Sequence, residues 1–490
     1  MPDCSLPSLG VPLAGLAIVV TLAGAQPGCR SGGPATIPPT RRHVLLLTID
    51  TLRADYLSAN GYTLPTSPFL DALIGGGTTF TRAVTTVPRT TPALASLLTG
   101  TYPQTNGVRT LVDRLDAGLA SLPELARVRG YATVAVVSNH ILVPERGLGR
   151  GFDVYDAADD ARDAAGTTAA ALGHLQRYQP DDAVFAWVHY IDPHVPYYPP
   201  PALATAFGAG YEGPYRLHFG AAKGGIGDEA YPKRLGKAAA VYRNGLPDHV
   251  NAHIRRLYAA DIRNTDDHIA ELVHGLRAAL GNDWLIVFTA DHGESLGENG
   301  YFFDHGDYLS TAELHVPLAF AFPTFDPLHG SRMVTDWVSL IDIMPTLAEL
   351  LDLPLPSGSQ LDGRSLVPLL RGDSLPARPV FAECGESFFP ALLHGRVHFD
   401  IGGRLRAVML GTKKLIWTPG QEPDRAYELY DLASDPRETA DLYRGQVADP
   451  DVAQLRALLD EWYRRGSSVP PSPPLSAADH ERLRALGYAN

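Results

Sequence analysis

Cysteine is scarce: there are three in 490 residues, and two of them, Cys4 and Cys29, fall within the first thirty, leaving Cys384 alone in the body of the chain. Neither a disulfide framework nor a cysteine-ligated metal can be built from that set. Positive charge is short as well. The 41 Lys and Arg side chains face 54 Asp and Glu, a net −13 with no basic cluster, and a nucleic-acid partner is excluded on that ground. Long apolar runs are also missing. The uncharged stretch from Cys4 to Cys29 has an apolar centre, Val11 to Ala25, of about 15 residues, short of the roughly 20 that cross a bilayer. It fits the apolar region of a secretory signal, so residues 1–29 are expected to be a signal peptide or lipoprotein signal and the protein to be exported to the periplasm or cell surface. Asp3 without any Lys or Arg before Arg30 makes a poor leading segment, and Gln26-Pro27-Gly28 is an awkward lipobox before Cys29. Lipid attachment at Cys29 as a membrane tether and retention as an uncleaved anchor both stay open. No Gly-rich phosphate loop follows a strand, which removes nucleotide cofactors.

What is present is a globular composition, 45% hydrophobic and 19% charged. Short apolar runs alternate with longer helical patterns, which predicts an α/β fold with a large central, mostly parallel sheet covered by helices on both faces. Candidate buried strands are His43 to Ile49, Thr133 to Val137, Ala183 to Val188 and Trp284 to Thr289. Ile262, Ile269, Leu272, Val273, Leu276 and Leu280 recur at helical spacing and predict a long amphipathic helix before the last of them. From Val195 to Pro247 the Gly-, Pro- and Tyr-rich sequence reads as a lid or rim loop. Its tyrosines, Tyr197 to Tyr242, either stack on a sugar or aryl group or simply pack the rim. After Arg371 short alternating segments and a helix near Asp451 to Arg465 predict a smaller α+β part with an antiparallel sheet. The expected division is a linker at 30–41, a main domain at 42–371 and a C-terminal subdomain with tail at 372–490.

In open α/β sheets ligands sit beyond the carboxyl ends of the strands. Four of the runs end in metal-type side chains: Asp50 after the first, Ser138-Asn139-His140 after the second, His189, Asp192 and His194 around the third, and Asp291-His292 after the fourth. One Asp at a strand end is usually a cap or turn former. Four such ends together point to a metal site.

The stretches LTIDTLRADYLSANGYTLPTSPFLDAL, TTPALASLLTGTYPQTNGV, TADHGESLGENG and AYELYDLASDPRETADL, in this order, resemble the sulfatase family of the alkaline phosphatase superfamily, from about His43 to the C-terminus. The resemblance implies an alkaline phosphatase-like fold and a sulfuric or phosphoric ester hydrolase, with residues 42–371 as the catalytic domain. The family pattern of Cys or Ser followed by x-Pro-x-Arg is broken here: the aligned residues are Thr90-Thr91-Pro92-Ala93-Leu94. Threonine oxidises to a ketone rather than to the aldehyde of formylglycine, and Leu94 replaces the arginine. The chain then looks like relatives in which a metal-bound threonine hydroxyl is the nucleophile, with Thr90 the candidate and Thr91 its alternative. A helix N-cap is the plain structural role for Thr90.

By the same resemblance Asp50, Thr90, Asp291 and His292 are the metal ligands. An Asp-His pair where many sulfatases have Asp-Asn, and Thr51 where they have a second Asp, move the expected ion from calcium towards zinc or manganese. His140, His194 and His305 are assigned to the ester oxygens and leaving group. His189 and Asp192 either join His305 in a second metal site or contact substrate. With the family lysine and arginine absent, the substrate is expected to be a singly charged sulfate ester or phosphodiester of a sugar, lipid or aryl alcohol. A phosphoglycerol- or phosphoethanolamine-type transferase and a silent binder of anionic glycans or lipids are the alternatives.

Overall fold

The computed structural model describes residues 43–157, 162–213, 215–219, 246–384, 391–393, 396–398, 405–420, 426–443, 450–465 and 476–485. The expected signal segment, Cys29 and the linker lie outside them.

The main sheet has eight strands: β1 (His43–Ile49), β2 (Thr78–Phe80), β3 (Ala132–Val137), β4 (Val154–Ala157), β5 (Val184–Tyr190), β6 (Trp284–Ala290), β7 (Leu318–Ala321) and β8 (Arg332–Val334), in the spatial order β8-β2-β7-β6-β1-β5-β3-β4. β1, β5 and β6 are apolar runs buried at every position, as strands covered on both faces require. They pair in parallel and in flush register, His43 opposite Val184 and Trp284, Ile49 opposite Tyr190 and Ala290. β7 runs antiparallel to its neighbours β6 and β2. The three central strands therefore end level with one another, and the residues after them emerge side by side.

Helices cover this sheet. α1 (Pro68–Gly76) is followed by α2 (Thr90–Thr99), all ten of whose residues are buried and which packs on α3 (Leu122–Arg129), and then by α4 (Ala164–Leu175) and α5 (Asp248–Leu280). α5 is 33 residues long and begins well before the predicted stripe, burying Val250, Ile254, Leu257 and Tyr258 as well as the expected apolar positions. It packs against α4 and α1. The Val195 to Pro247 segment is not purely loop: a helix spans Pro201–Phe207, and Tyr197 and Phe219 exchange backbone hydrogen bonds at 2.8 and 2.9 Å. Tyr197 is buried, Tyr198 is exposed, and Tyr211 stacks on His253 with ring centroids 3.7 Å apart.

A second, four-stranded antiparallel sheet follows: β9 (Val380–Glu383), β10 (Arg406–Leu410), β11 (Lys413–Trp417) and β12 (Tyr427–Asp431), in chain order. α6 (Pro450–Arg465) packs on β10 and β11, with Trp462 stacked on Phe381 at 5.0 Å. A last helix, α7 (Ala477–Ala485), returns to the segment between β3 and β4, where Asp479 pairs with buried Arg146.

Candidate active site and metal cluster

β1 and β6 each deliver an aspartate one residue past the strand. The Asp50 amide donates to the Tyr190 carbonyl at 2.9 Å and the Asp291 amide to the Ile49 carbonyl at 3.4 Å, so the ladder itself holds both carboxylates level. The backbone then turns: Thr51 has φ 55, left-handed for a β-branched residue, and its amide donates to Asp291 Oδ1 at 3.2 Å. Such a conformation costs on the order of 1–2 kcal/mol and is found where function demands it. Its reason here is to aim an N–H at a buried carboxylate. Gly293 is equally constrained, since a Cβ there would lie 2.0 Å from the Ala312 carbonyl oxygen.

His292 Nδ1–H donates to the Gly293 carbonyl at 2.9 Å, which fixes the tautomer and leaves Nε2 as a lone pair. That lone pair faces Asp50 Oδ1 at 3.7 Å and Asp291 Oδ2 at 3.5 Å. One ligand atom from each of Asp50, Asp291 and His292 lies within 4.8 Å of the others. Asp50 Oδ1, Asp291 Oδ2 and His292 Nε2 are all buried without a hydrogen-bond partner among the described residues. Three buried acceptors facing one another repel, and a divalent cation is the species that satisfies them together.

The titration behaviour agrees. Burial pushes the Asp50 carboxyl up, but His189, with the nearby rings of His194 and His292, overcomes this and holds it at about 2. Burial and the repulsion of Asp50 push the Asp291 carboxyl well above its usual range. Burial brings His292 down to about 4, so its ring is neutral at pH 7, the form that ligates a metal.

His189 belongs to this cluster. Its Nδ1 is 2.9 Å from Thr48 Oγ1, which also accepts from the Trp187 indole at 2.9 Å, and its Nε2 lies 3.6 Å from Asp50 Oδ2. Asp192 goes elsewhere: its Oδ2 accepts the Ala164 amide at 2.7 Å at the start of α4. The expected second metal site of His189, Asp192 and His305 is therefore not assembled, and no second ligand group converges among the described residues. The Asp-x-His spacing sends its carboxylate to a helix start and its imidazole to the site.

His305 and His194 reach the cluster. The His305 ring is 4.3 Å from that of His292 and 5.2 Å from that of His194. His305 Nδ1–H donates to the buried Glu294 at 2.9 Å, and His194 Nδ1–H to the Val195 carbonyl at 2.5 Å. His140 points to the tail instead, its Nε2 3.2 Å from the Arg482 carbonyl of α7. Its neighbour Asn139 takes the position facing the metal cluster and donates to Asp50 Oδ2 at 2.7 Å. The assignment of His140 to the ester oxygens is corrected accordingly: Asn139 is the residue of that turn that meets the carboxylate.

Thr90 is the first residue of α2, and the preceding residue, Arg89, occupies the cap position. The N-cap role for Thr90 is thereby removed. The Thr90 hydroxyl enters no hydrogen bond among the described residues, whereas the Thr91 hydroxyl is buried and donates to the Leu111 carbonyl at 2.8 Å. Leu94 is fully buried. The structure thus leaves Thr90, and not Thr91, with a hydroxyl to offer, at a helix N-terminus that favours negative charge.

Sequence reasoning missed Asn139, Glu294 and Arg53. Arg53 donates to the Glu294 carbonyl at 3.1 Å and to Glu298 at 2.8 Å, tying the turn after β1 to the turn after β6. The only signal for Glu294 was its place in TADHGES, two residues beyond a ligand.

A family model described as Sulfatase matches residues 42–353, more than half of the chain. The steryl-sulfatase of Mus musculus is 27% identical over 443 residues, covering 75% of this chain and 70% of its own length. The solved structure of BT4656 in complex with its substrate D-glucosamine-2-N,6-O-disulfate superposes with a TM-score of 0.69 at 19% identity, covering 88% of this chain and 99% of that one. The phosphonate monoester hydrolase of Agrobacterium radiobacter gives a TM-score of 0.62 at 23% identity, covering 87% and 96%. These structural likenesses carry the fold.

Proposed function

This chain belongs to the sulfatase family of ester hydrolases, and on that premise we propose that it is a metal-dependent hydrolase of singly charged sulfate esters with Thr90 as its nucleophile. The observation that carries this reading is the set of three buried ligand atoms on Asp50, Asp291 and His292 that have no hydrogen-bond partner among the described residues; the helix α2 opens on Thr90, whose hydroxyl is uncommitted.

A divalent cation held by those three residues supplies positive charge that acidifies a nearby hydroxyl and offsets charge on the ester oxygens. Asn139 and His189 orient Asp50. Thr90 Oγ, its proton released to solvent, attacks sulfur, forming an O–S bond as the S–O bond to the alcohol breaks. His305 in its protonated form, paired with Glu294, gives its Nε2 proton to the leaving oxygen. His194 borders the same space and contacts the sulfuryl oxygens. Water then attacks sulfur, giving one proton to His305 and the other to the Thr90 oxygen as the Thr90 O–S bond breaks, and sulfate departs. The substrate is the sulfate ester of a sugar, lipid or aryl alcohol. Export to the periplasm or cell surface, with or without a lipid at Cys29, is proposed from the segment 1–29 alone.

Metal analysis of the purified protein combined with chromogenic sulfate, phosphomonoester and phosphodiester substrates tests the reading. Thr90→Ala is expected to keep its metal and lose at least ~10³-fold in turnover, the scale for removal of a nucleophile, while Thr91→Ala stays active. Wild-type rates in Thr90→Ala, or a strong preference for the doubly charged monoester, would overturn it.

A further inference from the structure

We infer that Arg89 is a second anion-binding group of this site, whose guanidinium grips the charged oxygens of the sulfuryl group. The inference rests on the catalytic reading above and adds a residue to it.

Arg89 immediately precedes Thr90. Its backbone is extended, with φ −146 and ψ 138, and its carbonyl accepts the Ala93 amide at 3.0 Å, so the main chain caps α2 while the side chain makes no cap. The side chain turns inward and is 3% exposed. Nη2 donates to Asp307 Oδ1 at 3.0 Å, and the other oxygen of Asp307 accepts the Tyr301 hydroxyl at 3.2 Å. The Arg89 side chain packs against Gly306, where a Cβ would come within 1.9 Å of Nε. Any residue but glycine would displace it. Gly306 follows His305, whose ring borders that of His292, so the guanidinium rests on the same turn that carries the proposed acid.

A buried ion pair alone adds little net stability, because desolvation of both charges offsets their attraction. An apolar pair would fasten this turn as well. What an arginine offers in addition is a permanent charge and a planar fork that matches two oxygens of a sulfate. It stands next to the hydroxyl that would receive the group, in a chain where the family's own arginine position is the buried Leu94. One fixed cation here, beside one metal site, suits an ester carrying a single negative charge.

The test separates charge from packing and does not need turnover. Binding of inorganic sulfate to the metal-loaded protein is measured by calorimetry for wild type, Arg89→Lys and Arg89→Met, alongside thermal unfolding. Met keeps the length and loses the charge; Lys keeps the charge and loses the fork. Sulfate affinity is expected to fall at least ~10-fold in Arg89→Met and about 3-fold in Arg89→Lys. In steady-state assays KM should rise in the same order. Equal sulfate affinity in all three proteins, or equal losses in Lys and Met, would assign Arg89 to packing and sink the inference. Thr90→Ala that still turned over ester would refute the nucleophile reading while leaving the sulfate result to stand by itself.

Discussion

The Asp192 carboxylate accepts the Ala164 amide at 2.7 Å, and burial holds its pKa up at about 6, against 3.8 when exposed. The folded chain therefore binds this proton more tightly than the unfolded chain. The resulting stabilisation is complete below about pH 4 and is lost as pH rises through about 6. Asp192→Asn retains an acceptor oxygen for Ala164 without the ionisation. Denaturant unfolding should show the variant and wild type alike near pH 4, with the variant ahead by up to about 3 kcal/mol at pH 8. A difference independent of pH would contradict the assigned cause. Single residues also mark the limit of reading from sequence. Asp50, Asp291 and His292 were legible because a strand end fixes where the next residue points. The choice between Asn139 and His140 was not, because it depends on the Arg482 carbonyl, more than three hundred residues away. Arg89 was passed over because an arginine before a helix ordinarily faces water.

α7 is fastened to the segment after β3 by Arg146 with Asp479 and by His140 with the Arg482 carbonyl, and Arg146 also donates to the Val112 carbonyl at 2.7 Å. Removing Asp479 leaves a buried guanidinium with less compensation, but the cost should appear where the contacts are few. Asp479→Ala is expected to speed amide exchange in residues 477–485 by ~10- to 100-fold, while the core strands exchange as before. Uniform loss of protection across the chain would show instead that the tail is part of the cooperative core. Elements were read unevenly. β1 was predicted residue for residue, and β3, β5 and β6 to within two at either end, because each is a short, mostly apolar run buried almost throughout. The part of α5 before Ile262 was missed because His253 and Asp261 are buried among its apolar positions and blur the stripe. Asp266 earns its burial by accepting the Phe69 and Leu70 amides at the start of α1.

Across the whole molecule, α/β class was legible from buried runs alternating with helical stripes, whereas strand order was not, since β7 and β2 enter the sheet through short pairings of weak pattern. The metal cluster joins chain segments some 240 residues apart. If it holds a cation, chelation should lower the unfolding temperature as well as abolish activity, because Asp50 and Asp291 would face each other bare. Asp291→Asn should unfold at the same temperature with or without chelator. An unchanged melting curve in chelated wild type would mean that no bound ion supports the fold. The level ends of β1, β5 and β6 have one more effect. Sliding any of them by a single position would carry its terminal side chain about 3.3 Å along the sheet and turn it to the opposite face, with much of the greasy interior still filled. Stoichiometric ion uptake would thus act as a gauge of alignment, telling correctly zipped molecules from compact but misthreaded ones during refolding.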